Sequence, residues 1–319
     1  MHGTREPAQA HSGLHAKSHR LSTRPPFECI ALLLQGGGAL GSYQAGVYEA
    51  LAEANLHPDW VAGISIGAIN SAIIAGNAPA ERVEKLRAFW RVITANPLLG
   101  WAAAFGDLWT GGDFARGLFN HVSAAMALFQ GAAHFFVPRH PAAWLHPDST
   151  LEATSFYDTK PLKSMLERLI DFDRINSGET RLSVGAVNAR TGNFVYFDNT
   201  THTISPEHVV ASGSLPPGFP AAVIQGEYYW DGGLISNTPL QWVVDCGSRQ
   251  DTLAFQVDLW SAQGELPRNL VEVATRQKEI QYSSRTRAKT DQFKRMQQMR
   301  RAVAGLLAKL PRICARTTT

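Results

Sequence analysis

In the N-terminal third of this chain, continuous apolar runs of strand length alternate with stretches in which apolar positions return every three or four residues. Cys29 to Leu34 contains no charged or amide side chain and reads as a strand covered on both faces. Leu40, Tyr43, Val47, Leu51 and Ala54 then recur at helical spacing, and Asn55 and Pro58 mark the end of that helix. Trp60 to Ile64 is a second strand-like run, and it turns directly into an apolar helix, Ile66 to Gly76. Glu81 to Ile93 is amphipathic, with Val83, Leu86, Trp90 and Ile93 on one face, and is expected to lie on a sheet. This order predicts a βαβ unit, and hence an α/β fold of three layers, α/β/α, with a largely parallel central sheet.

Further along, Arg181 to Val187 and Asn193 to Phe197, joined across Asn188 and Gly192, predict a hairpin. Tyr228 to Trp230 and Leu253 to Leu259 predict further strands. Between the second strand and these later ones, residues 94–150 interleave Trp101, Phe105, Trp109, Phe114, Phe119, Phe129, Phe135, Phe136 and Trp144 with glycine and proline. The segment is too apolar for a linker: it is either a helical subdomain with its own small core or a cover whose aromatic inner face takes acyl chains. Arg268 to Leu310 reads as one long helix rich in basic residues, among them Arg285, Arg287, Lys289, Lys294, Arg295, Arg300 and Arg301. Met296, Met299, Val303, Leu306 and Leu310 form an apolar seam on it. Such a helix docks on its own domain, pairs with a second subunit to make a homo-oligomer, or lies on an anionic membrane.

Composition narrows the classes. A chain of 319 residues buries one large core with room for an appendage. The net charge of +3 is small, and no helix-turn-helix, zinc or RNP pattern accompanies the basic run, so nucleic acid is not an expected partner. The three cysteines, Cys29, Cys246 and Cys314, are too scattered for a disulfide framework. A reducing, cytoplasmic location is expected, peripheral on the membrane if the basic helix lies on lipid. Met1 to Pro26 is polar and basic without the apolar centre of a signal peptide, and reads as a disordered leader. No run approaches the roughly 18 apolar residues of a membrane span.

The candidate chemistry sits at the strand ends. Gly63-Ile64-Ser65-Ile66-Gly67 places a serine where a strand becomes a helix, and flanking glycines admit a turn that lifts the hydroxyl above a helix N-terminus. Gln35-Gly36-Gly37-Gly38-Ala39-Leu40-Gly41 follows the first strand, and the amides of Gly36, Gly37 and Gly38 are candidates for an oxyanion hole. The same glycines satisfy a dinucleotide fingerprint, but the acidic residue that should end the second strand is replaced by Ser65 in its own turn. Asp231-Gly232-Gly233 follows the aromatic run. No histidine follows Asp231, and the context of His202 and His208 marks neither as catalytic. The economical arrangement is a pair in which the Asp231 carboxylate takes the Ser65 proton directly.

A glycine-rich loop (Gly36 to Gly41), a G-x-S-x-G elbow (Gly63, Ser65, Gly67) and an acid before two glycines (Asp231, Gly232, Gly233), in this order and with the proline turn Ala211 to Pro220 before the acid, resemble the patatin-like phospholipases. The resemblance implies a Ser65–Asp231 dyad that cleaves acyl esters of lipids through an acyl-enzyme, with no metal and no organic cofactor. It also implies a domain over 28–262, after a leader at 1–27 and before a basic helical extension at 263–319. Leu40 and Gln35 depart from the family, which often has a basic and an acidic residue there; the absent cation bears on anionic head groups, not on the dyad. Acyl transfer and thioester or polyester cleavage use the same constellation. An idle lipid-binding protein is the rival of another class.

Overall fold

The computed structural model describes residues 24–94, 132, 134–246 and 250–309. Most of the leader, most of the aromatic-rich segment, and the tail with Leu310 and Cys314 lie outside the described residues.

Strand β1 (Cys29–Leu34) runs through a short 3₁₀ turn (Gly38–Gly41) into helix α1 (Ser42–Glu53). Strand β2 (Trp60–Ile64) then leads into α2 (Ile66–Ala75) and α3 (Arg82–Thr94). A two-stranded ladder, β3 (Val137–Pro138) with β4 (Tyr157–Asp158), precedes α4 (Lys160–Leu169) and α5 (Phe172–Ser177). The expected hairpin is β5 (Arg181–Asn188) with β6 (Phe194–Asp198). The rest is α6 (Pro206–Gly213), β7 (Ala222–Ile224), β8 (Glu227–Asp231), α7 (Leu240–Cys246), β9 (Thr252–Val257) and α8 (Leu270–Lys309).

The main sheet has the order β7-β8-β5-β2-β1-β9, with β6 also on β5. Its centre, β9, β1, β2 and β5, is parallel, whereas β6 and β8 join β5 antiparallel. Alternation along the strands divides the core. Leu32, Leu34 and Val61 join the large cluster with α2, α3, α4 and α6, while Cys29, Ala31, Leu33, Trp60 and Ala62 face Leu240 and Val243 of α7 and Phe293 of α8. This is the three-layer α/β/α arrangement.

One helical face differs from the sequence reading, and another narrows the alternatives it left open. On α1 the buried side chains are Gln44, Tyr48 and Leu51, and Leu40 and Tyr43 are exposed. The polar Gln44 is inside because its Nε2 donates to the Gln35 carbonyl and its Oε1 accepts from Asn70 Nδ2. On α8, 40 residues and so about 60 Å long at 1.5 Å per residue, the seam does not dock on the enzyme core. Met299, Val303 and Leu306 are 63%, 54% and 64% exposed, and the contacts with the domain are made earlier, around Tyr282, Thr286 and Phe293.

The turn from β2 into α2 leaves no space for side chains at its glycines. A β-carbon on Gly63 would lie 2.2 Å from the Gly67 carbonyl oxygen, and one on Gly67 would lie 2.2 Å from the Leu34 carbonyl oxygen. Backbone atoms of a buried helix or strand cannot yield as a flexible side chain does. Gly63→Ala is therefore expected to lower unfolding free energy by about 3 kcal/mol or more, at or beyond the upper end for overpacked cores, as measured by urea denaturation.

Candidate active site

One strand sets the position of both candidate groups. Gly185 of β5 is level with Ile64 of β2, and the next residue, Ala186, is level with Asp231 of β8. Since β6 pairs with β5 over Ser183–Val187, β2 and β8 share its other edge, one after the other. Ser65, immediately after Ile64, thus meets Asp231 end to end at the carboxyl edge of the parallel strands. Both line one cavity, and the Ser65 side chain favours the ionised form of the Asp231 carboxyl.

Ser65 adopts φ 56° and ψ −125°, a sparsely populated conformation for a residue with a side chain. Its N–H donates to Ser212 Oγ at 2.9 Å, and Ser212 in turn donates to the Gly185 carbonyl at 2.6 Å. The elbow is therefore clamped to β5 from the end of α6. Asp231 is 2% exposed and accepts from the Gly233 N–H at 2.7 Å. Burial pushes its carboxyl up to about 6, against the opposing influence of the Ser65 side chain and the Gly233 N–H.

A cavity of about 200 Å³ opens at this point, lined by Gly36, Gly37, Gly38, Ser65, Asp231 and Gly233 and by Leu215, Asn237, Trp260, Lys278 and Tyr282. Of the expected residues, Gly41 packs beneath it against Ile66, Gly63 and Gly67 form the elbow, and Gly232 lies against the Gly185 carbonyl. The loop approaches closely: a β-carbon on Gly36 would lie 3.1 Å from Ser65 Cβ and 2.3 Å from Asn237 Oδ1. The three loop amides are not equivalent. Gly36 N–H is committed to the Asn237 carbonyl at 3.2 Å, so it is not available to an oxyanion, while those of Gly37 and Gly38 have no partner among the described residues.

The histidines lie elsewhere. His208 Nδ1 accepts from the Ser205 N–H at the start of α6, and the His202 ring meets Phe197 edge-on. Neither lines the cavity. Sequence reading did not single out Asn237, Trp260, Lys278 and Tyr282, and it named Ser212 only as part of a proline turn. A signal for the α8 residues exists: Lys278, Tyr282, Thr286, Lys289 and Phe293 fall on one stripe at helical spacing. Because the stripe mixes charged, polar and aromatic types, a search for apolar periodicity passes over it.

The chain belongs to the patatin-like phospholipase family: a family model described as "Patatin-like phospholipase" matches residues 32–243. A second, described as "Patatin phospholipase", matches residues 280–318, most of them in α8. Among curated relatives, the chain is 34% identical over 120 residues to lysophospholipase nte1 of Aspergillus terreus, covering 32% of this chain and 7% of that protein. It is also 34% identical over 107 residues to patatin-like phospholipase domain-containing protein 6 of Homo sapiens, covering 33% of this chain and 8% of the relative. The matched part thus spans under a tenth of these relatives' length. Among solved structures, VipD from Legionella pneumophila aligns with a TM-score of 0.42 and 17% identity, covering 79% of this chain and 52% of that one.

The buried carboxyl has a measurable consequence for stability. A carboxyl whose folded pKa is raised contributes stability that is fully present below its unfolded value, near 4, and is lost as pH rises through about 6. Two units correspond to about 3 kcal/mol at most. Asp231→Asn, which stays neutral, is therefore expected to match the parent near pH 4 and to exceed it by about 1–3 kcal/mol at pH 8, in urea unfolding at the two pH values.

Proposed function

We propose that the protein is a lipid acyl hydrolase of phospholipase, lysophospholipase or esterase type, with Ser65 as nucleophile and Asp231 as general base. The observation that carries this reading is that Ser65 and the buried Asp231 carboxyl line one cavity together with Gly37 and Gly38, whose amides have no partner among the described residues. Asp231 Oδ takes the Ser65 proton as Oγ attacks the ester carbonyl, and the Gly37 and Gly38 amides receive the oxyanion. Collapse breaks the bond to the alcohol, which leaves with the proton from Asp231, and Ser65 holds the acyl group. Water then gives a proton to Asp231 and attacks the acyl ester. Collapse releases the fatty acid, and the proton returns to Ser65.

The cavity is smaller than the roughly 300–1,000 Å³ that enclose drug-sized ligands, so it suits the ester and a few carbons rather than a whole lipid. Among the described residues Lys278 is the cation that lines it, and it offers a partner to a phosphate-bearing head group. Transfer of the acyl group to an alcohol or thiol instead of water is the alternative, separated by adding acceptor and weighing ester against free acid. Ser65→Ala and Asp231→Asn are each expected to abolish hydrolysis of a short p-nitrophenyl ester. The double variant should be little worse, because groups that act as one unit fail together. In the parent, kcat/KM should rise with pH through about 6 and then level, since only the ionised carboxylate accepts the proton. Near-full turnover by Asp231→Asn would remove Asp231 from the mechanism.

The exposed seam of α8 supports attachment to anionic bilayers. Met299, Val303, Leu306 and Leu307 stand in solvent, and Lys294, Arg295, Arg300 and Arg301 form no ion pair among the described residues. No helix of the described residues is long and apolar enough to cross a membrane. Each basic residue near a charged surface contributes up to about 1 kcal/mol. Reversing these four to glutamate is expected to reduce co-sedimentation with phosphatidylserine vesicles, as added salt does, and to leave soluble-ester turnover unchanged. A second copy on the seam would appear instead as an oligomer that Leu306→Asp dissociates.

A further inference from the structure

Helix α8 reaches the loop beside Ser65 through a chain of polar and aromatic contacts. The Gly36 carbonyl accepts two hydrogen bonds, from Asn237 Nδ2 and from Trp260 Nε1, each at 2.8 Å. The Trp260 ring lies against Tyr282 of α8, with centroids 5.1 Å apart. One turn further along α8, buried Thr286 accepts from Gln35 Nε2 at 2.9 Å and shares a 2.8 Å hydrogen bond with Thr238 Oγ1. Gln35, fully buried, also accepts from the Leu259 N–H. The helix thus holds the residue before Gly36, the residue after Asn237 and the indole that grips the Gly36 oxygen.

A planar trans peptide points its C=O and N–H in opposite directions. Two donors on the Gly36 oxygen therefore fix the direction of the Gly37 N–H, which has no partner of its own among the described residues. We propose that α8 is a working part of the hydrolytic site: Trp260, backed by Tyr282, and Thr286, acting through Gln35, are positioning residues that aim the Gly37 amide at the oxyanion. The proposal rests on the reading of Ser65 as nucleophile. Aim matters because a hydrogen bond weakens steeply with misalignment, and loss of a whole oxyanion donor costs on the order of 100-fold in rate.

Two substitutions in the full-length protein test it. Trp260→Phe keeps a ring against Tyr282 and removes the indole N–H, and Thr286→Val keeps the shape and removes the hydroxyl. The readouts are kcat and KM on p-nitrophenyl butyrate, melting temperature, and inhibition by a trifluoromethyl ketone of matching chain length, whose hemiketal oxygen occupies the oxyanion position. Each variant is expected to lose about tenfold in kcat and in ketone affinity, with KM within about twofold of the parent. Folded variants with parental kcat and ketone affinity overturn the proposal. So does loss of folded protein in both, which would make the contacts purely structural. Ser65→Ala separates the two levels. If it retains turnover, the nucleophile reading fails; if it is inactive while both variants turn over like the parent, only the role of α8 fails.

Discussion

The pairing of β5 with two partners along one edge is the constraint on which the site depends. β2 arrives parallel and stops at Ile64, and β8 arrives antiparallel and ends at Asp231, one register position further on. A slip of one residue in either pairing would turn the affected side chains to the opposite face of the sheet. Ser212 adds a second fixation, since its hydroxyl joins the Ser65 amide to the Gly185 carbonyl of the same strand. The positive φ of Ser65 persists because strand, helix and this clamp together over-determine it.

Electrostatics at the site follow from the same geometry. Placing Asp231 at a strand end under α6 removes it from water, and the Ser65 side chain and the Gly233 amide compensate only in part. A carboxyl that titrates near 6 is ionised at neutral pH and is a stronger base than an exposed one. The glycine loop is organised by polar side chains from three directions. Gln44 and Asn70 hold its two ends through the carbonyls of Gln35 and Gly41, and Asn237 and Trp260 hold Gly36. This explains why a buried asparagine stands in the largely apolar α2.

The layers, the parallel centre of the sheet, the hairpin and the positions of Ser65, Asp231 and the glycine loop were legible in the sequence. Each is marked by a local pattern: an apolar run that ends at glycines, or a change of period from strand to helix. The supporting residues were not legible, for the contacts that define them span large separations. Ser212 reaches Ser65 across 147 positions, and Asn237 and Trp260 reach Gly36 across 201 and 224. Gln44 escaped because a buried polar residue breaks the apolar pattern that was used to orient α1. The helix read from Arg268 to Leu310 is described from Leu270 to Lys309, and its apolar seam masks the mixed stripe, Lys278 to Phe293, that meets the domain.

The central claim is that Ser65 and Asp231 form one chemical unit, and trapping the covalent intermediate tests it most directly. Purified protein mixed with a short acyl ester is quenched in acid within milliseconds, digested, and the acyl-bearing peptide located by mass spectrometry. The expected result is a single acyl group on Ser65, accumulating in the parent and absent from Asp231→Asn. An acyl group on another side chain, or equal acylation of Ser65 in the two proteins, would contradict the account.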